Sequence, residues 1–185
     1  DRSMLSCEST SYHEGLPGHH MQISIAQELK GLPEFRKEGG NGAYAEGWAL
    51  YCEGLGKEMG FYKDPISDFG RLSDEMLRAV RLVVDTGVHS MRWSRQQMVD
   101  YFHAHSGNDE VEIQAETDRY IAWPGQALAY KIGQLTILRL REKAKAELGA
   151  KFDIRAFHDE VLGAGNLPMA ILERRVNDWI KEQKK

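Results

Sequence analysis

Residues 13 to 20 read His13-Glu14-Gly15-Leu16-Pro17-Gly18-His19-His20, which places three imidazoles and a carboxylate within one short stretch. Neutral imidazole is the commonest transition-metal ligand, and a glutamate beside a metal-activated water can serve as its general base. The stretch therefore has the makings of a metal hydrolase site. The competing reading is plain: a Pro-Gly pair between histidines also makes an ordinary turn, with the imidazoles solvated or hydrogen-bonded.

Spacing narrows the ligand set. In the common zinc-binding helix, two histidines four positions apart share a face. Here the fourth position after His13 is Pro17. On a regular helix of about 100° per residue, His19 would stand about 120° off the face of His13, and His20 would share that face about 10 Å further along. Pro17 removes a helical donor and Gly18 permits unusual dihedrals, so a two-residue bulge would bring His19 to the second ligand position. We therefore expect His13 and His19 as metal ligands, with His20 as the reserve ligand or as an outer partner. Glu46 is the expected third ligand, on the next predicted helix between the small residues Ala45 and Gly47. Catalytic zinc commonly takes three protein ligands and leaves one position open. Glu53, two turns beyond Glu46 on the same face, is a candidate to orient a histidine ligand from behind. Most helix glutamates are simply exposed, and that reading stands beside each of these.

The elements that must position these groups read as helices almost throughout. Met21, Ile25 and Leu29 keep a four-residue period up to Gly31-Leu32-Pro33, and residues 43 to 60 form a second helix with Trp48, Tyr51, Leu55 and Met59 inward. Asp64-Pro65 starts a helix whose period, Phe69, Leu72, Met76, Val80, Val83 and Val84, runs to Thr86-Gly87. Ser94 and Gln97 make a capping box for a helix through Tyr101, and a stretch from Asp109 to about Trp123 precedes Pro124-Gly125. The longest helix is expected over 126 to 148 with Leu128, Ile132, Leu135, Leu138 and Leu140 inward. Asp153 caps the next, Gly163-Ala164-Gly165 ends it, and Pro168 opens a last amphipathic helix. Only a short piece before His13 reads as extended. The fold expected is all-α, a single unit over 1–185.

Composition bounds the partners. With 24 Lys+Arg against 28 Asp+Glu the net charge is −4, and no basic stripe offers a nucleic-acid surface. Apolar runs are short and interrupted, so no transmembrane segment is expected. The two cysteines, Cys7 and Cys52, have neither zinc-knuckle spacing nor the density of a disulfide scaffold. The chain opens on Asp1 without an export-type segment, so a processed product or a fragment is expected, and the compartment is open: periplasmic, lipoprotein-anchored or cytoplasmic.

Several blocks in order carry a family resemblance: His13 to Gln22, Glu46-Gly47-Trp48-Ala49-Leu50-Tyr51, Val84-Asp85-Thr86-Gly87-Val88-His89, Arg119-Tyr120, and Pro124-Gly125-Gln126-Ala127-Leu128-Ala129-Tyr130-Lys131. Together they resemble the C-terminal half of the bacterial proteins grouped as domain of unknown function 885, over essentially the whole chain. That family is similar in turn to the helical gluzincin peptidases, including Taq-type metallocarboxypeptidases and angiotensin-converting-enzyme-like dipeptidases. The resemblance implies a helical zincin-like C-terminal subdomain of a larger, mostly helical protein. It implies one Zn2+ ion held by His13, His19 and Glu46, with Glu14 as general base. It also implies a substrate-binding tyrosine in the pair Arg119-Tyr120, and a peptide substrate. The sequence departs from the gluzincin pattern where Gly15-Leu16-Pro17-Gly18 stands in place of two residues.

On that reading the attacking water loses its proton to Glu14, which hands it to the leaving amine. Tyr120 stabilises the oxyanion, with His89 as the alternative donor and Arg119 binding a substrate carboxylate. Capping of a helix end competes for His89, and a salt bridge to Glu116 or Glu112 competes for Arg119. His103, His105 and His158 read as surface residues, and Trp48, Trp123 and Trp179 as core aromatics. The missing N-terminal part of the parent chain would supply one wall of the cleft. The alternatives are a non-catalytic helical module that binds peptides or partners with a degenerate metal site, and a carboxylate-histidine iron or manganese protein, which needs more Glu-x-x-His pairs than the chain offers.

Overall fold

The longest helix begins where a proline can begin one. Asp64 accepts a hydrogen bond from the Ile66 amide and Pro65 sits at the first helical position, where its missing N–H is not needed. Three other helices start on the same local chemistry: Ser94 with Gln97 in a reciprocal capping box, Asp109, and Asp153. The computed structural model describes residues 4 to 185, and of Glu38 the backbone alone. Its helices are α1 (Cys7–Glu14), α2 (His19–Glu28), α3 (Glu34–Glu38), α4 (Gly42–Glu58), α5 (Pro65–Met91), α6 (Arg95–His105), α7 (Glu110–Ala122), α8 (Ala129–Leu148), α9 (Ile154–Leu162) and α10 (Met169–Gln183). Single 3-10 turns precede α8 and α9. No strand occurs among the described residues, so the protein is all-α. None of these helices is long and apolar enough to cross a membrane.

The axis of the fold is the α4–α8 pair. These helices meet at Gly47 and Gly133, where a Cβ on Gly47 would lie 2.4 Å from the Gly133 Cα, and one on Gly133 would lie 1.8 Å from the Ala43 carbonyl oxygen. Only hydrogen fits at that crossing. Around it Trp48, Tyr51 and Cys52 of α4 pack with Ile137, Leu140 and Ala144 of α8, and α9 and α10 close the cluster with Phe157, Val161, Leu172 and Val176. A second apolar cluster joins Leu77, Val80 and Val84 of α5 to Met98 and Phe102 of α6 and Ile113 and Tyr120 of α7. Helix α1 lies against both α4 and α5, between the two clusters.

Several expectations are corrected. The piece before His13 is the helix α1, not extended chain. Its serines are poor helix formers, but Ser6 and Ser9 both bond the Asp74 carboxylate of α5, so tertiary anchoring overrides local preference. In α8 the buried positions are Ile137, Leu140 and Ala144, while Ile132 and Leu135 are 44% and 49% exposed, because the Gly133 crossing sets the inward face. In α5 Phe69, Leu72 and Met76 are exposed although Val80 and Val84 are buried: the periodic face is continuous but covered only in its second half. That helix runs through Thr86-Gly87 to Met91 and ends at Arg92 in a left-handed conformation; Gly87 is instead where the Trp93 ring crosses the helix, 2.5 Å from any Cβ placed there. Met59 is exposed, and so is Trp123, which stands at the end of α7 with no core to enter.

Candidate metal centre

His13 lies in the last turn of α1 and His19 opens α2, with Gly15 to Gly18 as the break between two separate helices rather than a bulge in one. The Leu16–Pro17 peptide is cis. Gly18 packs so closely beneath α1 that a Cβ would lie 1.9 Å from the His13 carbonyl oxygen. The Trp48 indole N–H donates to the Pro17 carbonyl at 2.9 Å, tying the break to α4 two residues beyond Glu46. One helix therefore holds both the turn that pairs the histidines and the acid that faces them.

The result is convergence. His13 Nε2 is 3.4 Å and His19 Nε2 3.2 Å from Glu46 Oε2, and the three ligand atoms all lie within 4.8 Å of one another. Tetrahedral zinc with bonds near 2.0–2.2 Å sets its ligand atoms about 3.3 Å apart. The donor set of two imidazole nitrogens and one carboxylate oxygen thus fits a divalent transition metal without large movement. Among the described residues this is the one group of three His, Cys, Asp or Glu side chains so arranged, and it supports no second, Glu-x-x-His-based site. The other imidazole nitrogen of His13, Nδ1, is 2.7 Å from Glu53 Oε1, and both residues are buried.

The carboxylates and imidazoles of the cluster shift one another's charge states. Burial alone would push Glu46 up, yet the hydrogen bonds from His13 and His19 outweigh it and take its pKa down to about 2. Burial likewise disfavours the His13 cation, but Glu46 and Glu53 overcome this and raise its pKa to about 9, with the Arg78 charge opposing. Two carboxylates converging on one buried imidazole hold positive charge there, as a proton or as a metal.

The remaining predicted residues lie elsewhere. Glu14, the last residue of α1, is exposed beside His13, and His20 is exposed with its carbonyl accepting from Ser24. The Tyr120 hydroxyl is buried, donating to Glu116 and accepting from Arg81 at 2.6 Å, so it is already engaged by two side chains. Arg119 also pairs with Glu116, at 3.3 Å. His89 Nε2 is 2.8 Å from the Tyr120 carbonyl, and the Asp85 carboxylate accepts from the Gly125 amide, so together they hold the end of α7 and the Pro124-Gly125 turn against α5. His158 is not a surface residue: it is half-buried, 2.7 Å from the Tyr51 hydroxyl and edge-on to Trp48, and burial lowers its pKa to about 4. His103 and His105 are exposed, as expected.

Sequence reasoning passed over Tyr130, Arg78 and Arg81. The Tyr130 ring stacks on His13 with centroids 6.1 Å apart, and the Arg81 and Arg78 guanidiniums lie 4.6 Å and 5.7 Å from the same ring. Tyr130 falls within one of the resemblance blocks. The arginines carry no local signal.

Solved structures similar to this chain include two bacterial proteins. "The putative lipoprotein from Colwellia psychrerythraea" is 51% identical with a TM-score of 0.93, over 96% of this chain and 31% of that one. "A putative lipoprotein of unknown function from Shewanella oneidensis" shares the fold at 24% identity and a TM-score of 0.84, over 91% of this chain and 31% of its own. The chain thus spans about a third of each. No functionally curated protein matches it. A model of bacterial proteins of unknown function, DUF885, matches residues 1–176, and on that match the chain belongs to the DUF885 family.

Proposed function

We propose that this chain carries the metal site of a zinc-dependent peptidase of the helical gluzincin type, with carboxypeptidase- or dipeptidase-like activity in the full-length protein. The observation that carries the reading is the convergence of His13 Nε2, His19 Nε2 and Glu46 Oε2, with Glu53 behind His13. His13, His19 and Glu46 would hold the ion, which when bound would polarise a carbonyl and acidify a water. Glu53 fixes the His13 tautomer, so that Nε2 presents its lone pair inward while Nδ1–H is donated outward. Glu14, one residue from His13 and exposed, would take the proton of the attacking water and return it to the leaving amine. The buried Tyr120–Glu116–Arg81 group sits where a substrate rearrangement would have to release the phenol before it could donate to an oxyanion.

The rest of a longer parent would supply the opposite wall of the cleft; the chain's span of 31% of both relatives supports this. The description of the Colwellia protein as a "putative lipoprotein" supports an exported, anchored parent.

Metal analysis of the full-length protein, paired with peptide hydrolysis by wild type and Glu14→Gln, tests the proposal. We expect one zinc per chain in both, and hydrolysis reduced about 10²- to 10⁴-fold in the variant. A protein that binds no metal would show the cluster to be an ion-pair network. Undiminished hydrolysis in Glu14→Gln would remove Glu14 as the base.

A further inference from the structure

We propose that Tyr62 is a positioning residue of the metal centre: its buried hydroxyl, through one bridging water, holds the Glu53 oxygen that His13 leaves free. This rests on the zinc peptidase reading and adds to its site a residue one step behind Glu53.

Tyr62 is put in place by the way α4 ends. Gly60 takes a φ of 73°, its amide donates to the Lys57 carbonyl, and the Phe61 amide donates to the Gly56 carbonyl, both at 3.0 Å. This pair of bonds is the glycine-ended helix stop that turns the chain back on itself. Tyr62 therefore folds over Gly56, where a Cβ would lie 3.2 Å from Cε2, the ring carbon beside the one bearing the hydroxyl. The same Cβ would lie 3.1 Å from Cδ2 of Tyr12, the residue before His13, whose ring meets Tyr62 edge-on with centroids 5.4 Å apart. Gly56 follows Glu53 by three positions on α4, so the two share a face with about 5–6 Å between them.

Both partners have an unmet need. Tyr62 is 7% exposed and its hydroxyl is buried without a hydrogen-bond partner; Oε2 of the buried Glu53 is likewise without one, while Oε1 serves His13. Buried donors and acceptors normally find each other, because leaving either unmatched forfeits its hydration. The ionisable groups that act on Tyr62 are Glu53, Arg71, Tyr12 and Glu8. Arg71, whose guanidinium lies 5.8 Å from the Tyr62 centroid, can only donate. Glu8 already accepts from the Tyr12 hydroxyl at 2.8 Å. Glu53 Oε2 is the acceptor that remains. Burial, and after it the Glu53 charge, pushes the Tyr62 phenol up, so it keeps a proton to donate. A water that accepts from one atom and donates to the other spans about 5.5 Å, which matches the spacing of neighbouring positions on α4. With Oε2 so held, the carboxylate cannot swing, and Oε1 stays in line with the Nδ1–H of His13.

The test is a double-mutant cycle in the full-length protein, Tyr62→Phe against Glu53→Gln. It is read as zinc affinity, by competition with a chromophoric chelator, and as the urea midpoint of the metal-free protein. Phenylalanine keeps the ring contacts and removes only the hydroxyl. Glutamine offers one acceptor oxygen, which His13 keeps, so the phenol loses its acceptor. We expect Tyr62→Phe to weaken zinc binding about three- to tenfold with Glu53 present, and by less than about twofold in the Glu53→Gln background. The urea midpoint should depend on the background in the same way. Tyr12→Phe removes a phenol of the same ring cluster that serves Glu8, and should leave zinc affinity unchanged. A crystal structure should show one ordered water within hydrogen-bond distance of both atoms. An equal cost in both backgrounds, or an equal cost from Tyr12→Phe, reduces Tyr62 to packing and overturns the proposal, as does a crystal structure with the hydroxyl turned to another acceptor. Zinc uptake without coupling loses the role of Tyr62 and keeps the peptidase reading. Coupled urea midpoints in a protein that takes up no zinc keep the Tyr62–Glu53 link and lose the peptidase reading.

Discussion

His13 donates its Nδ1–H at 2.7 Å to Glu53, a carboxylate only 2% exposed, while its Nε2 faces Glu46 at 3.4 Å. One imidazole is thus gripped on both nitrogens by acids seven positions apart on α4. An acid on the far nitrogen fixes the tautomer and makes the near nitrogen a better ligand.

Glu53→Gln therefore keeps the shape and removes the charge. We expect zinc affinity to fall about 10- to 100-fold by competition with a chromophoric chelator, with the unfolding midpoint of the metal-free protein changed far less. Unaltered affinity would mean that Glu53 only balances buried charge.

Gly18→Ala places a Cβ where the His13 carbonyl oxygen already lies, 1.9 Å away. The break must open, and His19 must move from Glu46. Metal affinity should drop at least about tenfold while the far-UV helical signal is kept, because Gly18 lies between helices rather than within one. Normal affinity in this variant would show that the ligands converge without the tight break.

Gly47→Ala acts on the frame instead. Its Cβ would meet backbone of α8 at 2.4 Å, which no rotamer relieves. A loss of about 3 kcal/mol in urea unfolding is expected, together with weakened metal binding, since Glu46 is the adjacent residue. A loss below about 1 kcal/mol would mean that α4 and α8 separate at little cost.

His158 sets a pH dependence of stability. Its folded pKa is lowered to about 4 by burial, with the Arg141 charge adding to the effect, against about 6.5 when unfolded. Between those values the unfolded chain takes up a proton that the folded one excludes, so stability falls as pH drops from about 6.5 toward 4. Because the ring is only partly buried, the loss attributable to it from pH 7 to pH 5 is about 1 kcal/mol. His158→Gln retains an acceptor for the Tyr51 hydroxyl and should lose that much less over the same interval, read from urea midpoints at the two pH values. Parallel curves for variant and wild type would assign the effect to other groups.

Much of the architecture is legible in local chemistry. The starts at Asp64, Ser94, Asp109 and Asp153 depend on hydrogen bonds to amides two or three residues ahead, and such bonds depend on nothing distant. The candidate triad was legible for a related reason: ligand types are few, and the Pro17-Gly18 step accounts for a spacing that a regular helix cannot serve. What the periodic pattern could not tell was which part of a face would be covered. Phe69 and Val80 follow one period on α5, yet only Val80 meets a partner helix.

The sequence alone determined an all-α chain, the four helix starts at Asp64, Ser94, Asp109 and Asp153, and the residue types that come together at His13, His19 and Glu46. Only the tertiary structure decided that the histidines belong to two helices, that Trp48 ties their break to α4, that Tyr120 is held by Arg81 and Glu116, and that Tyr130 brings Arg78 and Arg81 beside His13. The reason is range. Caps and ligand spacings act within a turn or two, whereas the Gly47–Gly133 crossing and the arginine contacts join segments dozens of residues apart, whose meeting depends on the packing of the whole chain.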